Sequence, residues 1–310
     1  MYRTFFGLEE NPFNLSPDPR YLFFSRQHQE AMNHLLYGIH ERKGFIVVTG
    51  GIGTGKTTLC RTLLNGLDRN VETALVFNSA VSEMELLQTV NQEFGITMGR
   101  AKRTKKRYID TLNEFLLKNY ASHKNAVLLI DEAQNLSHGV LEQIRMLSNL
   151  ETVQEKLIQI VLIGQPELKK ILALPSLKQL NERITVRYDL SPLGKEDVRR
   201  YVQHRLSVAG GGTAAFAESA YRAIFRYSGG NPRRINAICD RALLVAYAGD
   251  AREINGRIVR EAKKDIDGRD SFMTALGRIF SPRGSLFINI LFLSLVLAVI
   301  FWGGQRLFNL

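Results

Sequence analysis

A short apolar run, Phe45 to Thr49, leads directly into Gly50-Gly51-Ile52-Gly53-Thr54-Gly55-Lys56-Thr57-Thr58. A helical pattern follows, with Leu59, Leu63 and Leu64 on one side. No other feature of the 310-residue chain restricts its fold as much. The G-x-x-x-x-G-K-T spacing does its chemistry only between a strand and a helix. Its glycines let the backbone curl until the N–H groups converge on phosphate oxygens. The helix that follows adds its positive end. Lys56 is then placed to reach the β- and γ-phosphates, Thr57 to offer its hydroxyl to Mg²⁺, and Thr58 to touch the α-phosphate. The motif in this setting predicts a nucleoside triphosphate site.

A second motif supports the first. Val127 to Ile130 form a short apolar run typical of a buried parallel strand, with Asp131 and Glu132 at its C-terminal end. That edge of a parallel sheet is where ligands bind. Asp131 would hold Mg²⁺ through its water shell, and Glu132 would orient and polarise the attacking water. A third strand, within "KLIQIVLIGQPEL", ends at Gln165. This residue either bridges the γ-phosphate region and the attacking water or is a turn residue before Pro166. Thr73 to Asn78 and Ile184 to Leu190 fit the same sheet. Strands alternating with helical stretches predict an α/β fold, a parallel sheet covered by helices.

After Pro192 the pattern changes to helices only, four of them, as expected of a small helical lid. Asn231 is placed as an N-cap with Pro232 at the first helical position. Arg233 and Arg234 follow at that helix start, where cations are not favoured, and an anion nearby would resolve the conflict.

The formal net charge of +11 favours anionic partners such as nucleotides, nucleic acid or acidic lipid, or else reflects a generally basic surface. The segment 100–107, "RAKRTKKR", concentrates that charge. It suits a nucleic-acid backbone, anionic headgroups, or a solvated loop. The only cysteines, Cys60 and Cys239, have no metal-ligand spacing, which excludes a disulfide scaffold or a zinc site; Cys60 reads as a core residue. The N-terminal "MYRTFFGLEENPF" has no long apolar core and is not a signal peptide.

From Gly284 to Gln305 no residue is charged. Twenty-two helical residues reach roughly 33 Å, enough for a bilayer core of about 30 Å. The stretch is apolar on all sides, unlike an amphipathic core helix. Trp302 lies near one edge, and Arg269, Arg278 and Arg283 precede the stretch while only Arg306 follows. That asymmetry predicts a single span with the large N-terminal part in the cytoplasm. The expected organisation is a nucleotide-binding α/β domain over 1–192, a helical lid over 193–266, a linker over 267–283, a transmembrane helix over 284–305 and a short tail over 306–310.

Phosphate loop, Asp-Glu strand, polar residue ending the next strand and helical lid resemble, in that order, an AAA+ ATPase. In that family an arginine before the last core strand enters the neighbouring subunit's site; "LNERITVRYDL" offers Arg183 first and Arg187 second. The family's lid arginine matches Arg233 in "GGNPRRIN". The opening through "GGIGTGKTTLCRTLL", with "LLIDEAQNL" and "IGQPEL", is similar to the general secretion pathway protein A ATPases, over residues 1 to about 266. The resemblance implies an ATP hydrolase using ATP and Mg²⁺. It implies a homo-oligomer, ring or dimer, with an arginine acting in trans. It also implies an inner-membrane anchor and a role in assembling or positioning secretion machinery in the envelope. Family members often continue into a periplasmic peptidoglycan-binding domain; this chain stops at Leu310, so either it is truncated or a separate partner supplies that half. Two readings compete: a DNA-associated ATPase of the transposition or replication type using segment 100–107, and a nucleotide-controlled scaffold. The intact Glu132 argues against a site built only to bind.

Overall fold

The computed structural model describes residues 2–16, 18–77, 81–97, 104–153 and 155–279. The chain opens with a short helix, α1 (Tyr2–Phe6), followed after an extended segment by α2 (Arg26–His40). Then come β1 (Phe45–Gly50), α3 (Lys56–Gly66), β2 (Val71–Val76), α4 (Glu83–Glu93) and α5 (Lys105–Ala121). The alternation continues with β3 (Asn125–Ile130), α6 (His138–Leu147), β4 (Gln159–Gly164), α7 (Glu167–Leu172), α8 (Lys178–Glu182) and β5 (Ile184–Leu190). A helical part follows: α9 (Lys195–Val208), β6 (Ala215–Phe216), α10 (Glu218–Ser228), α11 (Pro232–Ala248), β7 (Glu253–Ile254) and α12 (Gly256–Ile279).

The five long strands form one parallel sheet in the order β2-β3-β4-β1-β5. β1 and β4 are buried at every position because helices cover both faces of the sheet. Alternate side chains serve alternate faces. Phe45, Val47, Leu128, Ile130, Ile160 and Leu162 pack under α4 to α8. Ile46, Val48, Val127, Leu129, Val161 and Ile163 pack under α2 and α3. The parallel register puts the C-terminal ends of β1, β3 and β4 along one edge, and the phosphate loop and the Asp-Glu pair emerge there.

A third core joins the helical part to the chain's own beginning. Phe6 and Phe13 are buried among Val202, Ile224, Ile235, Ala242 and Leu243. Tyr2 Oη donates to Asp240 Oδ1 at 2.6 Å, and the backbone N of Thr213 donates to the carbonyl of Phe6 at 2.7 Å. Residues expected to belong to the α/β part are therefore packed on the lid. Gly212 makes the approach possible: its φ is 52°, and a Cβ there would stand 2.4 Å from the Phe6 carbonyl oxygen.

Two details differ from the sequence pattern. The second strand is Val71–Val76, two residues earlier than expected, and Asn78 lies outside the described residues. The lid is not helical throughout. Glu253 and Ile254 pair with Ala215 and Phe216 in a two-stranded parallel ladder, because Ile254 and Phe216 bury their side chains in the lid core and extended backbone delivers them there. Among the described residues no helix is long and apolar enough to cross a membrane. The apolar stretch 284–305 and residues 100–103 of segment 100–107 lie outside the described residues.

Candidate nucleotide site

β1 delivers the loop 50–55 at the sheet edge, and α3 starts at Lys56. Gly55 adopts φ 101°, and a Cβ there would meet His28 Nε2 at 2.9 Å. That histidine is itself buried. Its Nε2 lies 3.1 Å from the carbonyl oxygen of Thr54, so this nitrogen carries the proton and donates. Its Nδ1 accepts from Ser25 Oγ at 2.7 Å. Burial pulls the His28 imidazole below the ordinary histidine value, which keeps this neutral tautomer. The loop thus rests on α2, an element the motif does not include.

Lys56 is buried, and its Nζ donates to the carbonyls of Gly50 at 2.8 Å and Gly51 at 3.0 Å. Burial lowers its ammonium against the opposing pull of Glu132 and Asp131. Thr57 Oγ1 donates to Asp131 Oδ2 at 2.8 Å. Asp131 is buried at the end of β3, and its Oδ1 accepts the backbone N–H of Glu132 at 2.9 Å. A hydroxyl and a carboxylate oxygen side by side form an all-oxygen set. That set fits Mg²⁺, which takes one or two protein oxygens and completes its shell with phosphate oxygens and water.

Glu132 sits at φ 52° and ψ 37°, a left-handed conformation unusual for glutamate. The turn carries its carboxylate between two amides. Oε2 accepts from Gln134 Nε2 at 2.6 Å and from Gln165 Nε2 at 3.1 Å. Gln134 Oε1 in turn accepts the backbone N–H of Gln165 at 2.9 Å. Partial burial alone would raise the Glu132 carboxyl; the bonds from Gln134 and Gln165, with Lys56 nearby, outweigh it and hold the carboxyl below its ordinary value. Gln134 was not singled out by sequence reasoning. Its only signal was its position two residues after Glu132.

α11 closes the other side. Asn231 caps it by accepting the N–H of Arg234, and Asn231 Nδ2 donates to the carbonyl of Ile52 at 2.6 Å. The backbone N of Arg233 donates to the carbonyl of Gly53 at 3.3 Å. The lid helix start therefore touches the phosphate loop, and Arg233 lines the cleft beside it. This cleft of about 350 Å³ is also lined by Asn14, Leu22, Phe23, Tyr201, Arg205 and Asn236, none of them legible as site residues in the sequence. Arg205 ties these walls together. Its guanidinium donates to the carbonyls of Pro12 and Asn14 and to Tyr201 Oη, and lies 4.5 Å from the Tyr21 ring centre.

Arg183 and Arg187 do not line this cleft. Arg183 Nη1 donates to Ser148 Oγ and Asn149 Oδ1, each at 2.6 Å, just beyond α6. Arg187 Nη2 bonds Asn181 Oδ1 at 2.7 Å. Arg183 precedes β5, whose first residue pairs with Phe45 at the start of β1. It therefore stands at the opposite sheet edge from the phosphate loop, about 20 Å of strand away. Cys60 and Cys239 are buried, and burial raises both thiols. Among the described residues no cluster of histidine, cysteine and carboxylates could hold a metal by itself.

Residues 39–172 match the family model for the AAA domain. Over that stretch the chain is similar to an AAA domain. Across its length it is 44% identical over 289 residues to general secretion pathway protein A of Aeromonas hydrophila. That match covers 93% of this chain and 53% of the relative, so the chain spans about half the length of the curated protein it matches. The chain also resembles solved structures of low identity. Cdc6p from Pyrobaculum aerophilum superposes with a TM-score of 0.63 at 18% identity, over 82% of this chain and 70% of that one. The ORC2 protein of Aeropyrum pernix gives 0.59 at 16% identity, over 83% and 72%. At such identities the likeness is one of fold alone.

Proposed function

We propose that the chain is a membrane-anchored ATPase that hydrolyses ATP to assemble or position secretion machinery in the bacterial envelope. The observation that carries the ATPase reading is the Glu132 carboxylate, held by two amides beside the Thr57–Asp131 pair and the buried Lys56. In this reading the loop N–H groups and Lys56 hold the β- and γ-phosphates. Thr57 and Asp131 hold Mg²⁺, which when bound neutralises charge developing on the phosphates. Glu132 accepts a proton from the attacking water, and Gln165 aligns that water. Arg233 steadies the γ-phosphate from the lid. Arg183 reaches the site of a neighbouring copy, since its own site is at the other sheet edge.

The test separates binding from chemistry. Lys56→Ala is expected to abolish ATP binding, because the phosphates lose their main cation. Glu132→Gln keeps binding and loses hydrolysis, because only water activation is affected. Equal ATP affinity in wild type and Lys56→Ala would sink the assignment.

The secretion role rests on the likeness to general secretion pathway protein A. The anchor rests on the uncharged stretch 284–305 and its flanking arginines. Alkaline carbonate and high salt are expected to leave the chain on membranes. Replacing Leu293 and Leu297 with arginine detaches it, at about 2.5–3.5 kcal/mol per charge near the bilayer centre. Retention of that double variant after carbonate washing would count against a spanning helix.

A further inference from the structure

Away from the nucleotide cleft, α10 and the start of α12 enclose a second groove of about 490 Å³. Its charged lining is arginine only: Arg222 and Arg226 on α10, Arg257 and Arg260 on α12. Arg222 and Arg226 are one helical turn apart, and so nearly are Arg257 and Arg260, so two rungs of guanidinium face each other across the groove. All four are exposed. Of these four arginines only Arg257 forms an ion pair with a described residue, Glu261 at 3.3 Å. Arg260 Nε donates only to a backbone carbonyl, that of Gly256 at 3.4 Å. The helix start contributes no free donors in the first turn. Gly256 N–H goes to Ser219 Oγ at 3.1 Å, and those of Arg257 and Ile258 go to Asn255 Oδ1 at 2.9 and 3.2 Å.

Four arginines packed on adjacent helices repel one another unless an anion lies between them. Guanidinium, unlike ammonium, presents a planar fork that matches carboxylate or phosphate through paired hydrogen bonds. Because recognition here is by side chains alone, the groove suits an anion that engages several forks together rather than one small ion. We propose that this groove docks a short acidic segment of a partner protein, its carboxylates taken by Arg222, Arg226, Arg257 and Arg260.

Two observations favour a short carboxylate segment over other polyanions. The lining is short, confined to Ser219–Tyr227 of α10 and Asn255–Arg260 at the start of α12, which suits a few successive carboxylates better than a long phosphate backbone. The groove also lies at the first turn of the 24-residue α12, which runs about 36 Å toward the apolar stretch. On the membrane-anchored reading, bilayer headgroups lie at the other end of that helix, well beyond a Debye length of about 8 Å.

The test uses the full-length chain in non-ionic detergent at about 0.15 M salt, a condition under which diffuse charge attraction is screened. The probe is fluorescein-labelled hexaglutamate, read by anisotropy, with an oligothymidylate and short-chain phosphatidylglycerol as competitors. Arg222→Glu with Arg226→Glu, and separately Arg257→Glu with Arg260→Glu, are each expected to weaken hexaglutamate binding about tenfold or more. Lys118→Glu with Lys170→Glu, the same charge change elsewhere on the surface, leaves it nearly unchanged. ATP turnover, intact in all three variants, reports correct folding. Because binding does not require hydrolysis, loss of turnover in Glu132→Gln leaves this result readable. The proposal is overturned if wild type gives no saturable binding or if the groove variants match the lysine control. It is also overturned if groove-dependent binding is found for the oligonucleotide or the lipid and not for the peptide.

Discussion

Gln134 uses both ends of one amide to build the hydrolytic side of the site. It donates to Glu132 and accepts from the backbone of Gln165, so the residues proposed to act on water share one support. Losing a hydrogen bond to a charged group costs about 1.5–3 kcal/mol, so Gln134→Leu should lower kcat for ATP by roughly tenfold or more. Its pH dependence gives the sharper test. A protonated Glu132 cannot accept the water's proton, so turnover falls as pH drops through the value of that carboxyl. In wild type this value is held below that of an ordinary carboxyl, and the fall occurs at acid pH. Removing a donor leaves burial less opposed, which raises the carboxyl and moves the fall to higher pH. Profiles of kcat against pH for the two proteins check this; superimposable acid limbs would refute the shared support.

At the scale of elements, α1 has five residues, too few to be stable in isolation. It persists because Phe6 is fully buried against the lid and stands edge-on to Phe5 at 4.8 Å. In the segment that follows, residues 14–16, 18 and 21–23 line the nucleotide cleft, and Arg205 ties this segment to α9. Nucleotide held in the cleft would therefore contact chain from three places: the phosphate loop, the lid and the N-terminal segment. Phe6→Ala removes a large side chain from a closed core. It is expected to destabilise the protein by about 3–5 kcal/mol, read from the denaturant midpoint. A change within about 0.5 kcal/mol, the scale of a neutral surface substitution, would show that α1 does not belong to the lid core.

At the scale of the whole molecule, the sheet separates Arg183 from the phosphate loop of its own chain. An arginine that acts on ATP from that position needs a second copy. Arg183→Ala protein is expected to bind ATP normally and hydrolyse it poorly. Mixing it with Lys56→Ala protein should restore part of the activity, since each variant supplies what the other lacks at a shared interface. Mixed oligomers that remain inactive would refute a shared site, and Arg187 would be the next arginine to examine.

The sequence by itself determined the local parts of this protein. The loop 50–58 needs its residue types at fixed spacing between strand and helix, so Lys56, Thr57 and their glycines were legible. Fully covered strands are apolar at nearly every position, which made β1, β3 and β4 legible as well, and Asp131 and Glu132 followed from the end of β3. Asn231 and Pro232 marked the start of α11 by capping chemistry alone. Only the tertiary structure decided what depends on chain distant in sequence. Gln134 meets Gln165 across two strand ends, His28 supports Thr54 from another helix, and Phe6 finds its core some 200 residues later. The same holds for Ile254, whose place in a strand depends on pairing with Phe216. Local spacing encodes a turn or a cap, because those contacts lie within a few residues. Contacts closed over long loops leave no periodic trace in the sequence, so packing alone selects them.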